Sequence, residues 1–470
     1  MKRILLTLAA LGTALTMQAK VVLPGIFGDN MVLQQQSEAQ FWGKAAPGKK
    51  VTIRPSWSTQ GITANVGKDG RWRAAGPTPE AGGPYTIELS DGERLTLRDV
   101  LIGEVWLCSG QSNMEMPVRG FNNQPVEGSA DAIMRAKAAT PIRLCTVNRA
   151  TARTPQEECT ARWQQHTPEA VAATSATAYF FARSLQEVLE VPVGVIVTCW
   201  GGTPVETWMD RETMSAFKEF DLSFLDGEAR IEKPEMKPCG LYNAMIAPLV
   251  PYTIKGFLWY QGESNVGGHA VYAERLANMV KLWRGLWGQG ELPFYFVEIA
   301  PFNYWGSDLA AFLREAQCRA QALIPGSGMV STNDLVLPCE EGNIHPRDKR
   351  SVGKRLAFWA LNRTYGRKDV ACENMQFRSM EVRDGKAYLS FDNTFGGFGR
   401  AFDLRGFEVC GADRMFRPAQ VHFEGNERLI VFLPDIPEPV AVRYGFRDFQ
   451  PGNVVNTREL PLVPFRTDDF

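Results

Sequence analysis

The stretch Cys108-Ser109-Gly110-Gln111-Ser112-Asn113-Met114 follows a short apolar run, Val105 to Leu107. A serine on a tight turn beyond a strand is how hydrolases present a hydroxyl at a sheet edge, although Met114 stands where a Gly-x-Ser-x-Gly elbow has its second glycine. On pattern alone, such a turn more often caps a helix. A hydroxyl becomes a nucleophile near neutral pH only beside a general base, usually histidine. Of the four histidines, His166 precedes a helix in a glutamine-rich stretch, His269 sits beside two glycines and His422 falls in a late β region. His345 lies in Glu340-Glu341-Gly342-Asn343-Ile344-His345-Pro346, between the last strand of an alternating region and a basic helix. A doubly wound hydrolase commonly delivers its base there, so His345 is the candidate base, with a polar surface histidine as the alternative.

Two further loops follow buried runs. In Cys199-Trp200-Gly201-Gly202-Thr203 the paired glycines would let backbone N–H groups approach a developing oxyanion; a tight strand-to-helix turn explains them equally well. Trp259-Tyr260-Gln261-Gly262-Glu263-Ser264-Asn265 carries more polar side chains than a connector needs, and the Gln261 carboxamide is a candidate oxyanion donor. Ser, Gly, Gln and His on four strand-end loops point together to acyl transfer.

The elements that must position these loops alternate between strand and helix from about 101 to 365. Pro192 to Val197, Phe257 to Tyr260, Phe294 to Ile299 and Gly328 to Thr332 read as strands. Tyr179 to Leu189, Tyr272 to Leu286 and Leu309 to Leu323 have helical spacing. The expectation is an α/β fold with a central, doubly wound, mainly parallel sheet, its ligand site beyond the carboxyl ends of the strands. Residues 20–100, with Pro47-Gly48, Asp69-Gly70 and Asp91-Gly92 turns between short runs, predict a small β-sandwich. Residues 366–470 return to a β pattern and close in a Pro- and Phe-rich strap from Leu460 to Phe470.

Composition narrows the functional classes. The 51 Lys+Arg and 52 Asp+Glu give a net charge of −1, which argues against a nucleic-acid binder, since that would need a basic face. Lys2 and Arg3, the apolar run Ile4 to Leu15 and the small Ala19 form a signal-peptide pattern over 1–19, predicting a periplasmic or secreted protein. No cysteine follows as a lipid acceptor, and no later apolar run reaches the ~18 residues of a membrane span, so no membrane partner is expected after cleavage. The nine cysteines form no Cys-x-x-Cys pair or Cys/His cluster, so a structural zinc site is not expected; no cofactor is expected either.

From about residue 23 to the C-terminus the chain resembles the sialate O-acetylesterase family of the SGNH hydrolases. The resemblance rests on Gly28 to Gln34, Gly103 to Met114, Leu241 to Leu249, Trp259 to Asn265, Arg314 to Gln317, Ile344 to Pro346 and the closing Leu460 to Arg466. It implies a serine esterase that removes O-acetyl groups from sialic acids through an acetyl-enzyme, with Ser112 as nucleophile and His345 as base. Gly202 (or Gly201) and Gln261 would join the Ser112 amide in the oxyanion hole. Gln111, Asn113, Glu263, Asn265 and Trp200 would support the nucleophile or face the acetylated carbohydrate, with no metal involved. The family usually places an Asp two or three residues before the histidine; here those positions hold Asn343 and Gly342. The ring-orienting group is therefore left among Asn343, Glu341, Glu340, Asp334 and a backbone carbonyl. Trp106, Trp200, Trp208 and Trp259 are candidates for sugar stacking or for the core, and Arg119 for a sialic acid carboxylate. Competing readings are an esterase of acetylated plant polysaccharide and a carbohydrate-binding protein with decayed catalysis. Oligomeric state is left open.

Overall fold

A computed structural model describes residues 20–304, 306, 308–399 and 403–470, so the expected signal segment lies outside the described residues. The central sheet runs in the spatial order Ile142–Val147, Val193–Cys199, Arg94–Gly110, Gly256–Tyr260, Phe294–Val297 and Ser327–Val330, all parallel. Ala161–Gln165 pairs antiparallel at the outer edge. Val193–Cys199 is buried along its whole length, as expected of a strand covered on both faces.

The two-residue strand period sorts side chains into two cores. On one face Val105, Leu107, Phe257, Trp259, Phe294 and Phe296 pack with Leu276, Met279 and Leu313 of the helices His269–Trp287 and Leu309–Leu323. On the other, Trp106, Cys108, Val195, Leu258 and Tyr295 meet Tyr179, Phe181 and Leu185 of Ala176–Leu189 and Leu356 of Lys349–Trp359. Helices thus cover both faces of the sheet.

The N-terminal β unit has two parts. Glu38–Lys44 pairs with Arg71–Pro77, and Lys50–Pro55 pairs with Ile62–Asn65 and Gly82–Ser90. Phe41 and Trp72 share an apolar core with Val51, Ile53 and Leu89. Gly82–Ser90 then pairs with the first half of Arg94–Gly110, whose second half is the middle of the central sheet. The boundary expected at residue 100 falls inside this continuous 17-residue strand.

The C-terminal β region has its own core, including Leu389, Phe391, Val409, Leu429, Val442 and Tyr444. The closing segment pairs through Phe465–Arg466 with Ala441–Tyr444, and Arg466 bonds Glu315 of the helix Leu309–Leu323 at 2.8 Å, so the strap ties the two units together. All nine cysteines are free thiols. Among the described residues no helix is long and apolar enough to cross a membrane.

Candidate active site

Gly110 aligns with Cys199 on one side and with Tyr260 on the other, so three loops leave the sheet at one level. After Gly110 the chain builds first to one side and then to the other. The Ser112 turn therefore sits at a topological switch point, where α/β sheets open a ligand crevice. Gly110 has φ +139°, and a Cβ there would lie 2.1 Å from the Tyr260 carbonyl oxygen; the turn needs glycine. Ser112 then opens the short helix Ser112–Glu115.

Asn113 draws the serine and histidine loops together. Its Nδ2 donates to the Ile344 carbonyl at 3.0 Å and to the Glu263 carboxylate, while its Oδ1 accepts from Lys349 Nζ at 2.7 Å. Lys349, fully buried, also donates to the Pro346 carbonyl at 2.8 Å. The residue after the candidate nucleophile is thus bonded to the residue before the candidate base. Burial pushes the Lys349 ammonium down to about 7 and raises the Glu263 carboxyl above its ordinary value.

His345 is half-buried with its ring edge-on to Phe121, centroids 5.3 Å apart. Its Nδ1 lies 2.9 Å from Gln124 Oε1, and its Nε2 has no partner among the described residues. An amide oxygen only accepts, so Nδ1 carries the proton and Nε2 keeps the lone pair a general base needs. Burial first, and the nearby Lys349 charge second, pull the imidazole down to about 4.

The ring partner is therefore none of those expected from sequence. Asn343 braces the His345 backbone, accepting from its N–H at 3.1 Å and donating to its carbonyl at 2.9 Å. Glu341 is exposed and accepts from Asn303, Glu340 holds the Leu337 and Arg347 amides, and Asp334 is paired with Arg355 at 2.6 Å. Gln124 gave no sequence signal beyond standing before Pro125 in a polar loop, 221 residues from its partner. Asn343→Ala is expected to lower kcat only a few-fold, because the ring bond stays intact. A kcat as low as that of Ser112→Ala would contradict this reading.

The expected oxyanion donors separate into free and engaged groups. Gly201 comes close enough that a Cβ there would lie 3.1 Å from Ser112 Cβ, but its N–H donates to Glu115 Oε2 at 2.9 Å. Gly202 is an exposed residue, and neither its N–H nor the Ser112 N–H has an acceptor among the described residues. Gln261 corrects the expectation. It is fully buried, and its amide donates to the Thr203 carbonyl at 3.2 Å and to Asn265 Oδ1 at 2.7 Å, which uses both donor hydrogens. Its Oε1 accepts from Tyr272. It therefore clamps the Gly201–Gly202 loop from below rather than facing a substrate.

Asn265 extends this scaffold. It accepts from the Val205 N–H at 3.0 Å and donates to Glu206, itself in a buried ion pair with Arg275 that the sequence did not flag. Gln111, also buried, accepts from the Gly262 and Ser264 amides at 3.3 Å, joining the first and third loops. Trp106, Trp208 and Trp259 are fully buried core residues, which removes them as sugar platforms. Trp200 is half-buried under the Arg149 guanidinium, which pairs with Glu115. Beside it opens a pocket of about 480 Å³ lined by Glu115, Arg119, Phe121, Asn148 and Arg149 among others. Among the described residues no group of three or more His, Cys, Asp and Glu side chains is arranged to hold a metal ion.

Comparison with known proteins agrees with this architecture. A family model described as carbohydrate esterase, sialic acid-specific acetylesterase, matches residues 102–362. Sialate O-acetylesterase of Pongo abelii is 31% identical over 89% of this chain and 86% of its own, and that of Rattus norvegicus 29% identical over 93% and 92%. The crystal structure of a carbohydrate acetylesterase from Xanthomonas citri superposes with a TM-score of 0.85 at 33% identity, covering 96% of this chain and 100% of its own.

Proposed function

Because this chain belongs to the carbohydrate esterase family of sialic acid-specific acetylesterases, we propose that it removes O-acetyl groups from sialic acids, with Ser112 as nucleophile and His345 as base. The observation that carries this reading is the joining of the two loops through Asn113, with His345 Nδ1 engaged by Gln124 and Nε2 left unpaired. His345 Nε2 takes the Ser112 proton as Oγ attacks the acetyl carbonyl. The Ser112 and Gly202 N–H groups stabilise the resulting oxyanion, and each such donor is worth on the order of 10²–10³ in rate. The sugar oxygen leaves with the proton from His345. Water, activated by the same nitrogen, then attacks the acetyl-enzyme and releases acetate.

The pocket beside Trp200 supports an acidic sugar as substrate. Arg119 is an exposed guanidinium on its rim with no ion-pair partner among the described residues, and a planar fork matches a carboxylate. Arg119→Gln is expected to raise KM for an O-acetylated sialic acid about tenfold, the loss of one charge-assisted contact, and to leave KM for a neutral acetyl ester unchanged. Equal effects on both substrates would remove Arg119 from carboxylate recognition.

Acetate release from an O-acetylated sialic acid and from acetylated xylan, measured side by side for wild type and Ser112→Ala, tests the whole reading. Release from the sialic acid that the variant loses is the expected result. Release from xylan alone would keep the chemistry and assign plant polysaccharide as substrate. Release from neither, with Ser112 also inert to a serine-directed phosphonate, would favour a carbohydrate-binding protein with decayed catalysis.

A further inference from the structure

Away from Ser112, a pocket of about 520 Å³ opens at the seam between the N-terminal β unit and the central unit, within the ~300–1,000 Å³ range of small-molecule sites. One wall is the strand pair Glu38–Lys44 and Arg71–Pro77, which contributes Trp42, Lys44, Arg71 and Trp72. The other comes from Gln156 to Glu158 and Ala247 to Pro251. None of its lining residues belongs to the loops that carry Ser112 or His345.

The lining has the chemistry of a sugar site. Trp42 is half-buried and fixed edge-on against Phe27, with centroids 4.6 Å apart, so the aromatic surface is set in place by the chain itself. Across the seam runs a row of charged groups. Arg71 Nε donates to Glu157 Oε1 at 2.7 Å and its Nη1 to Asp69 Oδ2 at 3.0 Å, while Lys44 Nζ lies 3.2 Å from Glu157 Oε2. These groups are about half exposed, so they remain open to a ligand. Carboxylates that accept and guanidinium groups that donate match hydroxyls, which do both, and an indole matches the apolar C–H face of a sugar ring. The lining cations Lys44, Arg71 and Arg73 are balanced by Asp69, Glu157 and Glu158, which favours an uncharged ligand over an anionic one.

We propose that this pocket binds uncharged sugar units of a glycan chain, separately from the ester-cleaving site. The test is calorimetric titration of the full chain with xylohexaose, cellohexaose and a neutral N-acetyllactosamine oligomer, comparing wild type with Trp42→Ala and Arg71→Ala. Arg71 is exposed and outside any core, so its variant gives a result even where Trp42→Ala fails to fold. At least one oligosaccharide should bind the wild type with a Kd in the millimolar range or tighter, and about tenfold more weakly to each folded variant. Free sialic acid should not displace it, and turnover of p-nitrophenyl acetate should stay at wild-type level in both folded variants. No binding by any of the three oligosaccharides, equal binding by wild type and the folded variants, or displacement by sialic acid would overturn the proposal.

Discussion

Ser112→Ala is expected to reduce acetate release on the order of 10⁵–10⁶-fold in kcat, with KM nearly unchanged, as when the nucleophile of a serine hydrolase is removed. KM should hold because the scaffold around the turn does not use the hydroxyl. Gly110, Gln111 and Asn113 set the loop through backbone and carboxamide bonds, and Ser112 Oγ contributes no hydrogen bond to it. His345→Ala should cost a similar factor, and the double variant little more than either alone, since the two groups act as one unit. A serine-directed phosphonate should label the wild type and leave Ser112→Ala unmodified. Retention of more than about a tenth of wild-type kcat in Ser112→Ala would remove the serine mechanism, whatever the substrate.

Gln124 gives the second large effect, and a pH profile separates orientation from mere folding. Gln124→Ala leaves Nδ1–H unbonded and the ring free to turn against Phe121, which should lower kcat about 10²-fold, the scale of a small misplacement of a catalytic group. In the wild type His345 titrates near 4, so the acid limb of kcat/KM should fall there rather than near the ordinary histidine value. Burial and Lys349 both disfavour the imidazolium, so the base form persists to lower pH and activity is lost only as pH falls through about 4. Gln124→Glu puts a carboxylate where the amide oxygen was, favours the imidazolium and should move that limb up by about one to two pH units with most of kcat retained. An unmoved limb in Gln124→Glu, with full activity in Gln124→Ala, would show that Gln124 does not position the ring. The same depression enters stability, since the unfolded chain binds a proton at His345 that the folded chain refuses. This contribution therefore favours the fold above the ordinary histidine pKa and is lost as pH falls toward about 4.

The strands and the loops behind this site were legible because burial on both faces writes near-continuous apolar runs, and each run ends where its polar loop begins. Val193–Cys199 and Gly256–Tyr260 lie close to the bounds the pattern gives. Side-chain roles were less legible. Gln261 stands in a loop as polar as a binding site, yet its amide is spent inside the protein, and nothing local to Gln261 distinguishes a donor aimed outward from one clamped to Thr203 and Asn265. The side-chain candidates for orienting the ring, Asn343, Glu341, Glu340 and Asp334, all lie on the segment leading into His345, because only local spacing is visible in a sequence. The fold supplies Gln124 from a distant loop instead. Lys349 opens the basic helix that follows His345, and nothing in the sequence marks it as buried behind Asn113, because that burial depends on partners from other elements.

The strand Arg94–Gly110 also bears on how this protein can be divided. Its first half completes the N-terminal β unit and its last residues set the serine turn, so the two units have a ladder in common rather than a hinge. A cut near residue 100 would sever a structural member that holds the Ser112 turn at a fixed height. The N-terminal unit is accordingly not a portable module. Loosening it would slacken the Ser112 turn too, and the two should melt in one transition, as a keystone goes with its arch.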